Sequence, residues 1–199
     1  MTDERLPAVF ELIDAANSKD PDSIGVDGYP RPAALVYGER MSAMLEKFAP
    51  DSGDPLRIAV RAQHIERWTC RRDSYPAGRI GYLKWRSDLK TFHARRAGEL
   101  MQAVGYEQSD RDRVAALIRK EGLKRDPETQ TLEDVACLVF LEHYASDFIV
   151  DHDDAKVADI LAKTARKMSA RGLSEATGLP LSERLGTLLN TVLGKAEPT

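Results

Sequence analysis

The chain has 199 residues, of which 42% are hydrophobic and 31% are charged, and its formal net charge is −3 at pH 7. This length suits one domain with a sizeable core, and the slightly acidic balance excludes a protein with a general positive surface for nucleic acid. The longest apolar run, 135–141, is far shorter than the roughly 20 residues that cross a membrane. Its two cysteines cannot form a disulfide framework. The first ten residues carry acids where a secretory signal peptide carries bases, so we expect a cytoplasmic protein.

Helical periodicity dominates the chain, and prolines, acids and glycines mark where the helices begin and end. In chain order, the pattern predicts helices over 7–18, 32–49, 55–68, 81–104, 110–121, 127–150, 153–170 and 180–193. Residues 19–31 predict a loop, and 70–79 predict a basic loop with a turn at 76–78. No alternating apolar run is long enough to indicate a strand. We therefore expect an all-α single domain of seven or eight helices, with a core over 1–150 and C-terminal helices over 151–199 packed on it.

The most basic part of the chain is residues 61–96, which we call the basic aromatic segment. It holds ten of the 29 lysine and arginine residues and three acids, so it carries +7 while the rest of the chain sums to −10. It also contains both tryptophans and two of the four histidines. Such a concentration of cations, rings and imidazoles indicates an anionic ligand, or charge that must be neutralised nearby.

The basic aromatic segment supplies candidate side chains for an anion site. His64 and Trp68 share one predicted helix face, and Arg79 follows a Tyr-Pro-x-Gly turn that fixes its backbone. Arginine binds phosphate through charge-assisted, often bidentate contacts, and aromatic rings stack on a base or a sugar. Helical spacing favours an ordinary core role for the two tryptophans over a stacking role. The predicted substrate-binding residues are Arg67, Trp68, Arg71, Arg72, Arg79, Tyr82, Trp85 and Arg86.

A second candidate feature is Asp134, which stands at the head of the most apolar stretch of the chain with Glu133 beside it. A carboxylate that enters a buried helix face is costly unless it is paired, hydrogen-bonded or bound to metal. Its partner is either an arginine of the basic aromatic segment or a metal ion shared with His64 and His93. An imidazole is also an ordinary hydrogen-bonding group, so a core or surface role for each histidine stays open.

Several strings of the sequence are specific enough to indicate a family. They are QHIERW, YPAGRIGYLKWR, LKTFHA, the Gly105-Tyr106 pair and QTLEDVACLVFLE. These strings resemble the family called domain of unknown function 4202, over most of residues 5–150. This resemblance implies no activity.

The order of the helices also resembles, more distantly, the HD-domain superfamily of metal-dependent phosphohydrolases, which implies an HD-domain-like helical bundle. His64 stands where that superfamily has a first histidine ligand. The stretch VAALIRKEGLKRDPETQTLEDVACL resembles the late part of those domains, and Asp134 within it matches their last aspartate ligand. The central His-Asp doublet is missing, because only His152 is followed by an aspartate and it lies after Asp134. With His93 in the middle of the chain, the resemblance implies a site of two histidines and one carboxylate with open positions for water. The alternative is a pocket that has lost the metal.

Three functions are compatible with these features. In the first, a divalent metal (manganese, iron, zinc or magnesium) held by His64, His93 and Asp134 activates water against a phosphate ester or nucleotide, with Glu133 and Asp134 as catalytic residues. In the second, the protein binds a nucleotide or an RNA end without metal or catalysis. In the third, the basic aromatic segment only neutralises acids of the fold and the protein is an interaction scaffold. We expect a small, phosphate-containing anion as partner and no membrane, and a homo-oligomer stays open.

Overall fold

The computed structural model describes residues 4–194, which fall into two compact units, one ending at Glu121 and the other beginning at Gly122. Helices make up most of both units, so the predicted all-α class is confirmed. In the described part of the chain, no helix is long and apolar enough to cross a membrane. The predicted boundary after residue 150 falls inside the second unit, and the division into domains stays a prediction.

In the first unit, helices surround an apolar core. They are α1 (Arg5–Asn17), α2 (Ala33–Phe48), α3 (Asp54–Arg61), α4 (Gly78–Ala103) and α5 (Gln108–Arg119). Helix α4 packs against α5 and α1, and α3 packs against α2 and α5. The side chains that meet between them are fully buried, including Val9, Ile13, Met41, Ile58, Met101 and Leu117. Burial of these periodic apolar faces is what holds the helices together.

The loop predicted for residues 19–31 is a short β-hairpin. Strand β1 (Ser23–Val26) pairs antiparallel with β2 (Tyr29–Pro32), with Val26 opposite Tyr29. Asp27 and Gly28 both have positive φ, at 51° and 84°, as a two-residue hairpin turn requires. The prediction of a loop was wrong because the Asp-Gly turn was the only strong signal and the strands beside it are four residues long, with two prolines in β2.

Helix α3 ends seven residues before the predicted helix does. It stops at Arg61, and tight turns follow, in which Glu66 adopts the left-handed conformation with φ 49°. His64 and Trp68 therefore do not share a helix face, and that prediction was wrong. A non-glycine residue in this conformation is uncommon, so tertiary contacts must hold it.

The second unit contains α6 (Pro127–His143), α7 (Ala145–Val150), α8 (Asp154–Ala165), α9 (Ala170–Thr177) and α10 (Glu183–Gly194). Helix α6 packs against α7 and α9, and α10 packs against α8. The helix predicted over 127–150 is interrupted at Tyr144. The helix predicted over 153–170 ends at Ala165. Helix α9 follows it and begins where Ser169 caps its first turn by accepting a hydrogen bond from Gly172 N (3.0 Å).

Candidate functional site

The turn after α3 carries His64 and Arg67. Three contacts with side chains of the surrounding helices hold this turn in place. The backbone N–H of Glu66 donates to Asn17 Oδ1 (3.0 Å), and the Glu66 carboxylate pairs with Arg96 Nε on α4 (2.7 Å). The His64 ring stacks on Tyr37 of α2, with centroids 4.1 Å apart and planes 16° apart. The left-handed conformation of Glu66 is therefore held by side chains from α1 and α4.

The loop that leads into α4 is fixed by close backbone packing. Arg72 donates from Nη1 to the carbonyl oxygens of Tyr75 (3.1 Å) and Pro76 (3.0 Å). Gly78 has a φ of +82°, and a Cβ at Gly81 would lie only 1.9 Å from Pro76 O. Both glycines of the YPAGRIG string are thus required by geometry. This packing sets the start of α4, which carries Arg86, Lys90 and His93 to the site.

Beside this turn the first unit contains a cleft that encloses about 290 Å³ of space, including its open mouth. It lies between the turn after α3, the middle of α4 and the end of α5. Two apolar residues, Leu89 and Ile118, form part of its wall. The other lining residues are Gln63, His64, Arg67, Arg86, Lys90, His93 and Lys120. No carboxylate of the described residues lines the cleft, so its charged side chains are all cations.

Both imidazoles of the cleft are held in the neutral state. Burial is the main cause that lowers the pKa of His64 well below its ordinary value, followed by repulsion from Arg67, His93, Lys120 and Arg86. For His93, burial lowers the pKa to about 4, although its hydrogen bond to Ile65 O opposes the shift. The two ring centroids are 6.0 Å apart. Burial and the neighbouring cations both disfavour a charged imidazole, so the two rings are neutral.

Arg67 and Arg86 are the two cleft cations whose charge is not balanced. Burial, and then repulsion from Arg86, lower the pKa of Arg67. Within the described residues, neither guanidinium forms an ion pair with a carboxylate. The Arg67 guanidinium instead lies over the ring of Trp85, with Cζ 4.8 Å from the centroid. A cation–π contact offsets only part of the cost of burying a guanidinium beside another.

Two buried polar atoms of the cleft have no hydrogen-bond partner, namely His93 Nε2 and Gln63 Oε1. Both side chains are almost fully buried, with exposed fractions of 3% and 7%. His93 Nδ1 lies 2.8 Å from Ile65 O and donates its proton to that carbonyl. In the neutral ring Nε2 is therefore an acceptor, as Gln63 Oε1 is. An unpaired buried acceptor is costly, so both atoms need an explanation.

The match to a family covers nearly the whole chain, because residues 7–189 fit the family model described as Domain of unknown function (DUF4202). The chain belongs to this family. The resemblance drawn from the QHIERW and YPAGRIGYLKWR strings is thereby confirmed. No curated protein and no solved structure matches the chain. The resemblance to the HD-domain superfamily stays a prediction.

In this member of the DUF4202 family, the predicted substrate-binding residues divide into those that line the cleft and those that do not. Arg67 and Arg86 line it, and Trp85 supports Arg67 from a buried position while its indole N–H donates to Cys70 O (2.8 Å). Tyr82 is 46% exposed, and its ring centroid lies 5.9 Å from that of Trp85. Four others are absent from the cleft wall: Trp68, Arg71, Arg72 and Arg79.

Of those outside the cleft, two arginines have partners in their own loop. Arg71 pairs with Asp73 (2.9 Å) and is well exposed, and Arg72 binds the loop carbonyls described above. Arg79 is exposed at the start of α4, and Trp68 is half-buried. A role for these four residues in ligand binding stays a prediction.

The predicted catalytic pair, Glu133 and Asp134, lies on α6 of the second unit. Asp134 is buried and accepts hydrogen bonds from Ser169 N (2.8 Å), Ser169 Oγ (2.6 Å) and Gln130 Nε2 (3.0 Å). Its carboxylate therefore joins α6 to the first turn of α9. Glu133 is also buried and lies 3.8 Å from Lys167 Nζ. These partners explain how two acids are accommodated on an apolar helix.

The predicted metal ligands belong to different units, since His64 and His93 lie in the first and Asp134 in the second. Across residues 4–194, no three His, Cys, Asp or Glu side chains form a group that could hold a metal ion. The metal set therefore stays a prediction, as do Glu133 and Asp134 as catalytic residues.

Three polar cleft residues were not predicted from the sequence: Gln63, Lys90 and Lys120. Lys90 could have been found, because it lies four residues after Arg86 and three before His93, on one face of α4. Gln63 follows the end of α3, which the sequence pattern misplaced. Lys120 ends α5 in the left-handed conformation, with φ 60°. Nothing in the local sequence brings it to the basic aromatic segment, because only the packing of α5 on α4 does so.

Proposed function

We propose that this protein binds a small phosphate-containing anion in the cleft between the turn after α3, α4 and α5. The observation that carries the proposal is the pair of guanidiniums, Arg67 and Arg86, which repel each other in a cleft without a carboxylate. Lys90 and Lys120 add positive charge to the same wall. An anion would remove the repulsion and accept hydrogen bonds from both guanidiniums.

A purely structural role for the basic aromatic segment accounts for only part of its charge. Its three acids are all paired, Glu66 with Arg96, Asp73 with Arg71 and Asp88 with Lys84. These pairs neutralise cations outside the cleft. Arg67 and Arg86 have no carboxylate partner among the described residues, and both line the cleft. Charge held at a cost in a concave site is typical of a functional site.

The cleft is narrow and open to solvent at its mouth, so it suits the phosphate group of a ligand whose remainder extends outside the wall. The exposed ring of Tyr82, beside Trp85, offers a surface on which a base could stack. A mononucleotide or the phosphorylated end of an RNA would meet these requirements. We propose a cytoplasmic location, where such ligands are abundant, and a homo-oligomer stays a prediction.

Titration calorimetry with inorganic phosphate, AMP and a 5′-phosphorylated oligoribonucleotide tests this proposal. We expect Arg67→Ala and Arg86→Ala each to weaken binding about tenfold to hundredfold, because a hydrogen bond between charged groups contributes roughly 1.5–3 kcal/mol. Binding to the wild type should also weaken as salt is raised, since the contacts are electrostatic.

The matched control is Arg95→Ala, which removes an exposed arginine of the same segment that pairs with Glu99 outside the cleft. It should leave the affinity for AMP unchanged. Equal weakening by Arg95→Ala and Arg67→Ala would mean that only the net charge of the segment matters. Absence of binding by all three probes would contradict the proposal.

A metal-dependent phosphohydrolase with an HD-domain-like bundle is the second candidate function. It is supported by the two neutral imidazoles of His64 and His93, because neutral imidazole is the form that binds metal. In this proposal the two imidazoles hold a divalent metal that would activate water, and the roles of Glu133 and Asp134 stay predictions. Metal content, measured by mass spectrometry on protein purified without chelator, tests it. Stoichiometric metal that is lost in His64→Ala would support hydrolysis, and an equal metal content in both proteins would contradict it.

A further inference from the structure

We propose that the ligand of the cleft is a phosphate ester whose organic part carries free hydroxyl groups, and that these hydroxyls donate hydrogen bonds to His93 Nε2 and Gln63 Oε1. This inference rests on the proposed anion binding and names the chemical class of the ligand. His93 and Gln63 would then accept hydrogen bonds from the ligand, which anion binding alone does not require of them.

The cleft wall combines many hydrogen-bond donors with two unpaired acceptors. Guanidinium and ammonium groups only donate, and they favour the fully ionised phosphate, which only accepts. Arg67, Arg86 and their lysine neighbours therefore match a phosphate group, whereas no donor of the described residues reaches the two unpartnered acceptors. A ligand that offered charge alone would bury His93 Nε2 and Gln63 Oε1 more deeply without pairing them.

His93 presents its acceptor in a fixed direction. The donation from Nδ1 to Ile65 O orients the ring and leaves the lone pair on Nε2. The edge of the Phe92 ring and the face of His64 confine the imidazole further, with centroids 5.5 Å and 6.0 Å away. Burial and the two guanidiniums keep the ring neutral, as its lowered pKa indicates. Nε2 is thus a preorganised acceptor in a wall that otherwise donates.

Gln63 provides a second acceptor in the same wall. It lies two residues after the end of α3, its exposed fraction is 7%, and its Oε1 has no hydrogen-bond partner. Two acceptors call for two donors, which a polyol phosphate or the ribose of a ribonucleotide supplies with neighbouring hydroxyls. Both acceptors belong to residues that line the same cleft as Arg67 and Arg86, so one ligand could reach the acceptors and the guanidiniums together.

The test compares two probes with the same three-carbon chain, propyl phosphate and glycerol 3-phosphate, by calorimetry in the presence of chelator. The second differs by two hydroxyls, and we expect the wild type to bind it at least about tenfold more tightly, because propyl phosphate leaves both buried acceptors unpaired. Ribose 5-phosphate and AMP form further arms. Tighter binding of AMP than of ribose 5-phosphate would indicate that a nucleotide, rather than a sugar phosphate, provides the hydroxyls.

Gln63→Met removes one acceptor while nearly preserving side-chain volume, and it should weaken glycerol 3-phosphate more than propyl phosphate. His93→Gln keeps an acceptor near the position of Nε2 and should retain part of the preference. Equal affinity of the wild type for the two three-carbon probes would overturn the inference while leaving anion binding intact. Failure of every phosphate probe to bind would instead overturn the proposed function and this inference with it.

Discussion

Acidification should destabilise the first unit through His93. The pKa of this buried imidazole is lowered to about 4, whereas in the unfolded chain it returns to about 6.5. Below pH 6.5 the unfolded state therefore binds a proton that the folded state does not, and stability falls until the pH reaches about 4. Since one pKa unit corresponds to about 1.4 kcal/mol, the loss from pH 7 to pH 4 is about 3 kcal/mol. The lowered pKa of His64 adds a loss of the same sign.

Urea unfolding between pH 7 and pH 4, followed by circular dichroism, measures this loss. Carboxylates of the fold titrate in the same range, so the informative quantity is the difference between the wild type and His93→Gln, which does not titrate. We expect the variant to be less stable at pH 7, and its deficit to shrink by about 3 kcal/mol at pH 4. A deficit that does not change with pH would refute the reasoning, because it would mean that His93 has the same pKa in both states.

Two pairs of glycine substitutions test the close packing on which the site and the second unit depend. Gly81→Ala would place a Cβ 1.9 Å from a proline carbonyl oxygen at the start of α4, so we expect a loss of about 3 kcal/mol in the free energy of unfolding. Its control, Gly98→Ala in the same helix, meets nothing within 4 Å and should stabilise by about 1 kcal/mol. In the second unit, Gly172→Ala would place a Cβ 2.7 Å from Asp134 Cγ and should cost about 2 kcal/mol, whereas Gly186→Ala in α10 has open space and should stabilise.

Chemical denaturation of the four variants checks these expectations. Because Gly81 lies in the first unit and Gly172 in the second, anion binding should separate them as well. Gly81→Ala moves the start of the helix that carries Arg86 and should weaken the affinity for AMP. Gly172→Ala should leave that affinity unchanged wherever the protein is folded. A Gly81→Ala variant as stable as the wild type would show that the loop before α4 adjusts to the new side chain.

The cleft combines features that do not stabilise the apoprotein. Like charges face each other, and two buried acceptors are unpaired. Both features raise the free energy of the folded state, so their occurrence in one cleft favours a ligand that corrects both. The substitutions Arg67→Ala and Gln63→Met test these two features separately, since the first removes a charge and the second removes an acceptor.

The sequence by itself determined the helical class, the family and the segment that supplies most of the site. Apolar periodicity and Asp-Pro or glycine boundaries are local signals, so the bounds of α2, α4, α5 and the start of α6 followed from them. The excess of cations and rings over 61–96 is also visible without a fold, and four residues of this segment, Arg67, Arg86, His64 and His93, line the cleft.

The tertiary structure alone decided which of those residues act together. Helix α3 ends early because Glu66 is held in a left-handed conformation by Asn17 and Arg96, partners 49 and 30 residues away. Lys120 reaches the cleft only because α5 packs on α4. Asp134, which the sequence marks as costly, is satisfied by a helix end 35 residues later. Such contacts join residues that are distant in the chain, and no local pattern of side chains records them.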